Sequence, residues 1–213
     1  MSQPAMSQPA TGAGPRPPCP TLETPRLRLR PLRGEDAPRI QALFPHPAIL
    51  EFMSASIPWP YPDDGARQHL ESVLPRMAAG REYHWAITLK SEGDGLIGVI
   101  SLNPESDTES RGFWLGQDYH RRGLMTEAVA AVNDFAFGEV GMAHLTLNNA
   151  EPNRGSHRLK EKSGAEIVEV SDDVPYVGGR FREVRWRLTR AQWARHRDSF
   201  LDSSLAGGSP AEG

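Results

Sequence analysis

Apolar and polar residues alternate strictly along Arg26–Leu27–Arg28–Leu29–Arg30, the mark of a half-buried strand with its arginines turned outward. From Glu35 to Phe44 the period changes, and Ala37, Ile40, Leu43 and Phe44 fall on one side of a short amphipathic helix. A rigid loop, Pro58–Trp59–Pro60–Tyr61–Pro62, comes next. Asp63 or Asp64 can cap a helix from Gly65 to about Ala79, which Pro75 should kink or shorten. Tyr83–Leu89 and Leu96–Leu102 read as strands joined by a turn at 91–95. Gly112–Leu115 is a short aromatic strand, after which Leu124, Ala128, Val132, Phe135 and Ala136 recur at helical spacing. Ala143–Asn148 is a strand, and a short helix after Asn153 ends at Ser163–Gly164. Ala165–Val170 and Phe181–Leu188 bracket a hairpin tip at Tyr176–Gly179. The order β-α-α-β-β-β-α-β-α-β-β predicts an α+β domain of three layers, a mixed central sheet of about seven strands with helices on both faces.

Residues 1–21 repeat Met-Ser-Gln-Pro-Ala and run on through glycine, proline and alanine, while 199–213 are rich in serine, glycine and alanine. Neither stretch can form an apolar face, so both are expected as disordered tails around one domain over 22–198. A formal charge of −3 argues against a general nucleic-acid binder. The arginines at 180, 182, 185, 187 and 190 read as a solvated strand face. Cys19 is the single cysteine and has no internal partner. No apolar run approaches the ~18 residues of a membrane span, and no basic region followed by an apolar one opens the chain. A cytoplasmic protein without a membrane partner is expected. The seven histidines lack ligand-like spacing, so no metal is expected.

The stretch with most chemical content is His120–Arg121–Arg122–Gly123–Leu124–Met125–Thr126, which joins the aromatic strand to the following helix. The first N–H groups of a helix lack internal partners, and the helix dipole favours an anion there. Gly123 lets the backbone approach a phosphate, and Arg121 or Arg122 can add charge. The stretch is read as a pyrophosphate cradle.

Tyr119–His120–Arg121–Arg122–Gly123–Leu124–Met125–Thr126–Glu127–Ala128 resembles the acetyl-CoA motif of the GNAT N-acetyltransferases, in the form of the RimJ/RimL ribosomal-protein branch. Thr24–Pro25–Arg26–Leu27 resembles that branch's opening strand, and the proline–aromatic loop at 58–62 is similar to its loop before the second helix. Asn153–Arg154–Gly155–Ser156 with Glu161–Lys162–Ser163–Gly164 is similar to its Asn-x-x-Ser and Glu-Lys-x-Gly signatures. The resemblance spans roughly 22–188 and implies the GNAT fold, acetyl-CoA as cosubstrate, and transfer of acetyl to an amine in a ternary complex. The acceptor is a protein N-terminal α-amine or a small molecule, and a homodimer stays open. The alternative is a catalytically weak acyl-CoA-binding or sensing module. Two positions depart from the pattern: His120 and Met125 replace family residues in the cradle, and Pro175 stands where the branch carries a carboxylate base.

Acetyl transfer from a thioester needs a held cofactor, a polarised carbonyl, a deprotonated amine and a protonated thiolate. The turn from His120 to Thr126 serves the first, with Asn153 either binding the pantetheine or starting its helix. A backbone amide of Trp114 or Leu115 is the candidate for polarisation. Ser156 is the candidate donor to the thiolate, weighed equally against a helix-capping serine. Without the family carboxylate, either an α-amine loses its proton through a water with no dedicated base, or the base is Glu109, Asp107 or His84, with Glu109 the candidate set against the plainer reading of a solvated loop charge. Trp59, Tyr61 and Tyr176 are expected to line the acceptor entrance.

Overall fold

The computed structural model describes residues 16–205, with side chains as far as 202. In chain order its elements are β1 (Leu22–Glu23), β2 (Leu27–Pro31), α1 (Ala37–Leu43), α2 (Pro47–Leu50), α3 (Gly65–Ala78), β3 (Tyr83–Leu89), β4 (Leu96–Leu102) and β5 (Phe113–Leu115). They continue as α4 (Leu124–Gly138), β6 (His144–Ala150), α5 (Arg154–Lys162), β7 (Glu166–Tyr176), β8 (Gly179–Thr189) and α6 (Arg190–Leu205).

The α+β layering holds, but the sheet is divided. Five strands pair in the order β1-β2-β3-β4-β5, and three more pair as β6-β8-β7. Every one of these ladders is antiparallel, where a mixed sheet was expected. The division falls between β5 and β6. Just upstream of β5, the Ser110 amide donates to the Thr146 carbonyl at 2.7 Å, and the Thr146 amide donates to Ser110 Oγ at 3.0 Å. Beyond that junction Phe113–Leu115 pairs only with β4 among the described residues, and a cleft opens on its other side.

Helices cover both faces of the larger sheet. Leu27, Leu29, Trp85, Ile87 and Ile100 join α4 and Trp193 of α6 in one core. Ala86, Leu96 and Val99 point the other way, into a second core with Ile40 of α1 and Leu70 and Val73 of α3. β3 is therefore buried along its whole length, which explains its near-continuous apolar run. Pro75 lies in the last turn of α3 and leaves the helix intact to Ala78.

Of the three arginines expected to point outward, Arg28 does, while Arg26, just before β2, is half-buried against Glu127. Arg30 is 5% exposed and makes a two-pronged pair with Asp36, at 2.7 and 2.9 Å, and a contact to Asp94 at 2.8 Å. Alternation marks which side chains face away from one core; here the second face is also covered. The expected boundaries at 21 and 198 are crossed by ordered chain. Trp85 Nε1 donates to the Pro20 carbonyl at 2.7 Å, and Phe200 is buried with Trp193 inside α6. The remaining tail residues, 1–15 and 206–213, lie outside the described part.

Candidate active site

Two strand-to-helix junctions, β5 to α4 and β6 to α5, border the cleft between the two sheets. β5 ends at Leu115, whose carbonyl meets Nε2 of His120 at 2.8 Å. The chain then turns through Arg121 (φ 59°) and Gly123 (φ 72°), both left-handed, before α4 begins. Two such residues around Arg122 curl successive amides into a concave nest that suits an anion. Gly123 adopts this conformation at no steric cost, whereas Arg121 carries the strain of a side chain there.

The nest is held from behind by Glu127 in the first turn of α4. This carboxylate is 3% exposed and takes hydrogen bonds from the Thr24 hydroxyl, the Arg26 amide at 2.7 Å and Arg26 Nε at 2.7 Å. Burial alone would raise its pKa, but these donors and the guanidinium charge together hold it below the usual value. Arg26 Nη1 also donates to the Arg122 carbonyl at 2.9 Å. The Thr24–Arg26 segment is thus a clamp on the turn.

All the residues expected to hold the cofactor converge on one cavity of about 470 Å³: Trp114, Leu115, His120, Arg121, Arg122, Gly123, Leu124, Met125, Thr126 and Asn153 line it, together with Ser156. The size lies within the range of small-ligand sites. The His120 ring is turned back to cap β5 at the Leu115 carbonyl rather than offered as a free donor. The Asn153 side chain accepts the Ser156 amide at 3.0 Å and starts α5, the second of its two expected roles. That bond makes Asn153 the cap and frees the Ser156 hydroxyl from capping. Instead, Ser156 Oγ takes a 2.6 Å hydrogen bond from Lys160 Nζ.

On β5 the alternation of an antiparallel ladder decides which amides are free. The Gly116 amide donates to Ile97 and the Ser101 amide donates to Gly112, so residues 112, 114 and 116 face β4. The amides of Phe113 and Leu115 face the cleft. Trp114 contributes its ring, which packs against Phe44 at 5.2 Å.

A second cavity, of about 590 Å³, lies beside the first and shares Met53, Phe113 and Trp114 with it. Glu109, Tyr61, His69 and His84 line this one. Glu109 is exposed to solvent where it lines this cavity, with the protein crowding its other side. Burial raises its pKa and Glu183 adds to this, against the opposing charges of Lys160 and Arg111. Burial also lowers the pKa of His84, which Glu82 opposes through a 2.9 Å contact, and that of His69. Asp107 is an exposed loop residue and lines neither cavity.

Of the aromatic trio, Tyr61 lines the second cavity, and its ring fills the space a Cβ on Gly65 would need. Tyr176 sits at the β7–β8 tip, where it bridges to Ser54 and donates to Glu183 at 2.7 Å. Trp59 is 53% exposed and lines neither cavity.

Lys160 and Arg111 were not singled out from sequence. Both are 3% exposed. Arg111 donates to Asn133 through Nη1, while its Nε and Nη2 have no partner among the described residues, and burial pulls its pKa down to about 10. Ser156 and Lys160 are four apart on α5, so helical spacing alone places them on one face. Three of the four β8 arginines are matched by acids: Arg180 with Asp173, Arg182 with Glu151 and Asp172, Arg185 with Glu169. No helix among the described residues is long and apolar enough to cross a membrane.

The model of a family described as "Acetyltransferase (GNAT) domain" matches residues 26–166. "Probable N-acetyltransferase YjcK" of Bacillus subtilis is 33% identical over 108 residues, 49% of this chain; the match spans 59% of that protein's length. "Uncharacterized N-acetyltransferase p20" of Bacillus licheniformis is 26% identical over 77% of this chain and 92% of its own. Among solved structures, Mycobacterium smegmatis RimJ in complex with CoA-disulfide superposes with a TM-score of 0.72 at 16% identity, covering 89% of this chain and 94% of that one. RimL, a ribosomal L7/L12 alpha-N-protein acetyltransferase in complex with coenzyme A, gives 0.69 at 15% identity, with 80% and 98% covered. At these identities the two structures establish a common fold.

Proposed function

This chain belongs to the GNAT acetyltransferase family, and we propose that it moves an acetyl group from acetyl-CoA to an amine by direct attack. One observation carries the reading: the anion nest, a free backbone amide, a hydroxyl and a carboxylate border two cavities that meet at Phe113 and Trp114. The nest and its arginines fit the phosphates of CoA, with the Arg121–Gly123 curl as the structural basis of that fit. Acetyl-CoA, when bound, supplies an activated acyl carbon and a thiolate leaving group.

The residues divide the remaining work. Glu109 faces the second cavity and takes the proton of the incoming amine, a task suited to a carboxylate of raised basicity. The Leu115 or Phe113 amide, fixed by the β4 ladder, donates to the oxygen that gains charge, and needs no rearrangement to do so. Ser156 Oγ gives a proton to the departing sulfur. Tyr61 borders the acceptor and Tyr176 closes the tip of the hairpin next to Glu183.

The acceptor that fits best is an α-amine. Its pKa of ~7.7–8.0 lies about 2.5 units below that of lysine, within easier reach of a carboxylate base. RimJ and RimL share the fold, both as complexes with a form of CoA, and RimL is described as a ribosomal L7/L12 alpha-N-protein acetyltransferase. The test is thiol release from acetyl-CoA with peptides bearing free N-termini and with small amines. An amine-dependent rise supports the reading. Stabilisation by CoA without release under any amine supports a binding module instead.

A further inference from the structure

A serine hydroxyl is a weak acid on its own. Its ionisation resembles that of water, near 15.7, against ~8.5 for a thiol, so handing its proton to a thiolate is uphill by roughly seven units. The transfer becomes favourable only if Ser156 takes a replacement proton as it gives one up. The structure contains one group placed to supply it: Lys160 Nζ lies 2.6 Å from Ser156 Oγ, one helical turn further along α5 and out of reach of the cavity itself.

We infer that Lys160 is the proton reservoir of the site, passing a proton from Nζ to Ser156 Oγ while Oγ passes its own to the departing sulfur. The inference rests on the acetyltransferase reading and deepens it. Lys160 acts through Ser156 and is a positioning residue.

The surroundings of Lys160 fit a group that gives up a proton readily. Ser156 meets it from its own helix, the Phe113 ring lies 6.0 Å away on β5, and Arg111 and Glu109 face it from the segment between β4 and β5. Burial and the uncompensated Arg111 charge push its pKa down to about 7, against the pull of Glu109. Glu109 in turn faces Glu183 of β8, which the Tyr176 hydroxyl holds.

The protons then balance. The amine nitrogen forms its bond to the acyl carbon, the carbon–sulfur bond breaks, and its electron pair leaves with sulfur. Glu109 gains the proton lost by the amine, and Lys160 loses the one that ends on sulfur. The site passes from carboxylate and ammonium to carboxylic acid and free amine. Loss of a proton from Glu109 to solvent and gain of one by Lys160 by way of Ser156 Oγ restore it.

The test is an ultraviolet titration of the thiol in the complex of the full chain with CoA, against the complex with desulfo-CoA as blank. The Lys160 charge, one hydroxyl away, favours the thiolate, so the bound thiol should titrate below free CoA, by less than the roughly 1.5 units that separate it from Lys160 and drive the proton to sulfur. Lys160→Met keeps the volume and removes the buried charge, and should return the thiol to its free value while CoA still raises the melting temperature. A wild-type complex whose thiol titrates at or above the free value overturns the relay, whatever the variant does. If CoA neither binds nor stabilises the wild-type chain, the acetyltransferase reading falls with it.

Discussion

At the scale of single residues, Ser156 and Glu109 have opposite tasks and separable signatures. Ser156→Ala should lower kcat by about 10²-fold with little change in KM, since it acts on the leaving group. Glu109→Gln should lower kcat/KM by a similar factor and abolish the rise of kcat/KM on the acid side, where the raised carboxyl loses its proton. Steady-state rates over a pH series distinguish the two; identical profiles for wild type and Glu109→Gln would remove Glu109 from the chemistry. Lys160 makes a further prediction in the absence of any ligand. Its folded pKa is depressed to about 7 and its unfolded one is near ~10.4, so between these the unfolded chain binds more protons. The Lys160 contribution to stability therefore rises with pH across that window. Urea unfolding at pH 7 and pH 10 should show wild type gaining on Lys160→Met, and parallel curves would contradict a buried, depressed lysine.

At this scale the sequence was readable where a residue's role depends on its neighbours along the chain. Asn153 as a helix start and Gly123 in a tight turn are local facts. Arg30 and Glu127 were opaque because their partners lie elsewhere or because a second covered face is invisible to alternation, while spacing pairs Lys160 with Ser156 but does not reveal its burial. Trp59 and Tyr61 show the same limit: two aromatics in one loop, one turned to solvent and one to a cavity.

At the scale of elements, the cradle depends on the clamp between the Thr24–Arg26 segment and α4. Breaking a buried ion pair by removing one partner typically costs about 3–5 kcal/mol. Glu127→Ala should approach that loss by denaturant unfolding at neutral pH and weaken CoA binding as well, because the Arg122 carbonyl loses its anchored partner. The sign of the pH dependence follows from the lowered carboxyl. Its stabilisation is complete above the unfolded value of ~4.3 and disappears as pH falls through the folded one, so wild type and variant should converge in acid. A constant gap down to that range would argue that packing, not charge, is what Glu127 contributes.

Strand and helix positions were largely legible from periodicity, β3 and β4 to the residue. Pairing was not. Nothing in the apolar pattern of Phe113–Leu115 or His144–Ala150 says that the two fail to join, and the cleft exists because they do not. The cue lies at Ser110 and Thr146, a single junction that only the folded chain brings together. β7 shows the same effect, since its strand continues to Tyr176 through a bulge and past Pro175 on a sheet edge, where a missing amide is tolerated.

At the scale of the molecule, two sheets that share one junction and diverge beyond it create adjoining cavities, which we propose take the cofactor and the acceptor. A ligand at 100 times its Kd stabilises the folded state by about 2.7 kcal/mol. For a chain of this size CoA should then raise Tm by roughly 5–10 °C, and Gly123→Val, which forces a branched side chain into left-handed backbone, should erase most of that rise. The whole-molecule function follows from the two cavities acting together. Thiol release from acetyl-CoA, measured across a panel of N-terminal peptides and small amines with wild type and Glu109→Gln side by side, tests this most directly. The account predicts amine-dependent release by wild type that falls about 10²-fold in the variant. Release equal in both proteins, or no greater than spontaneous hydrolysis under every amine, would contradict it.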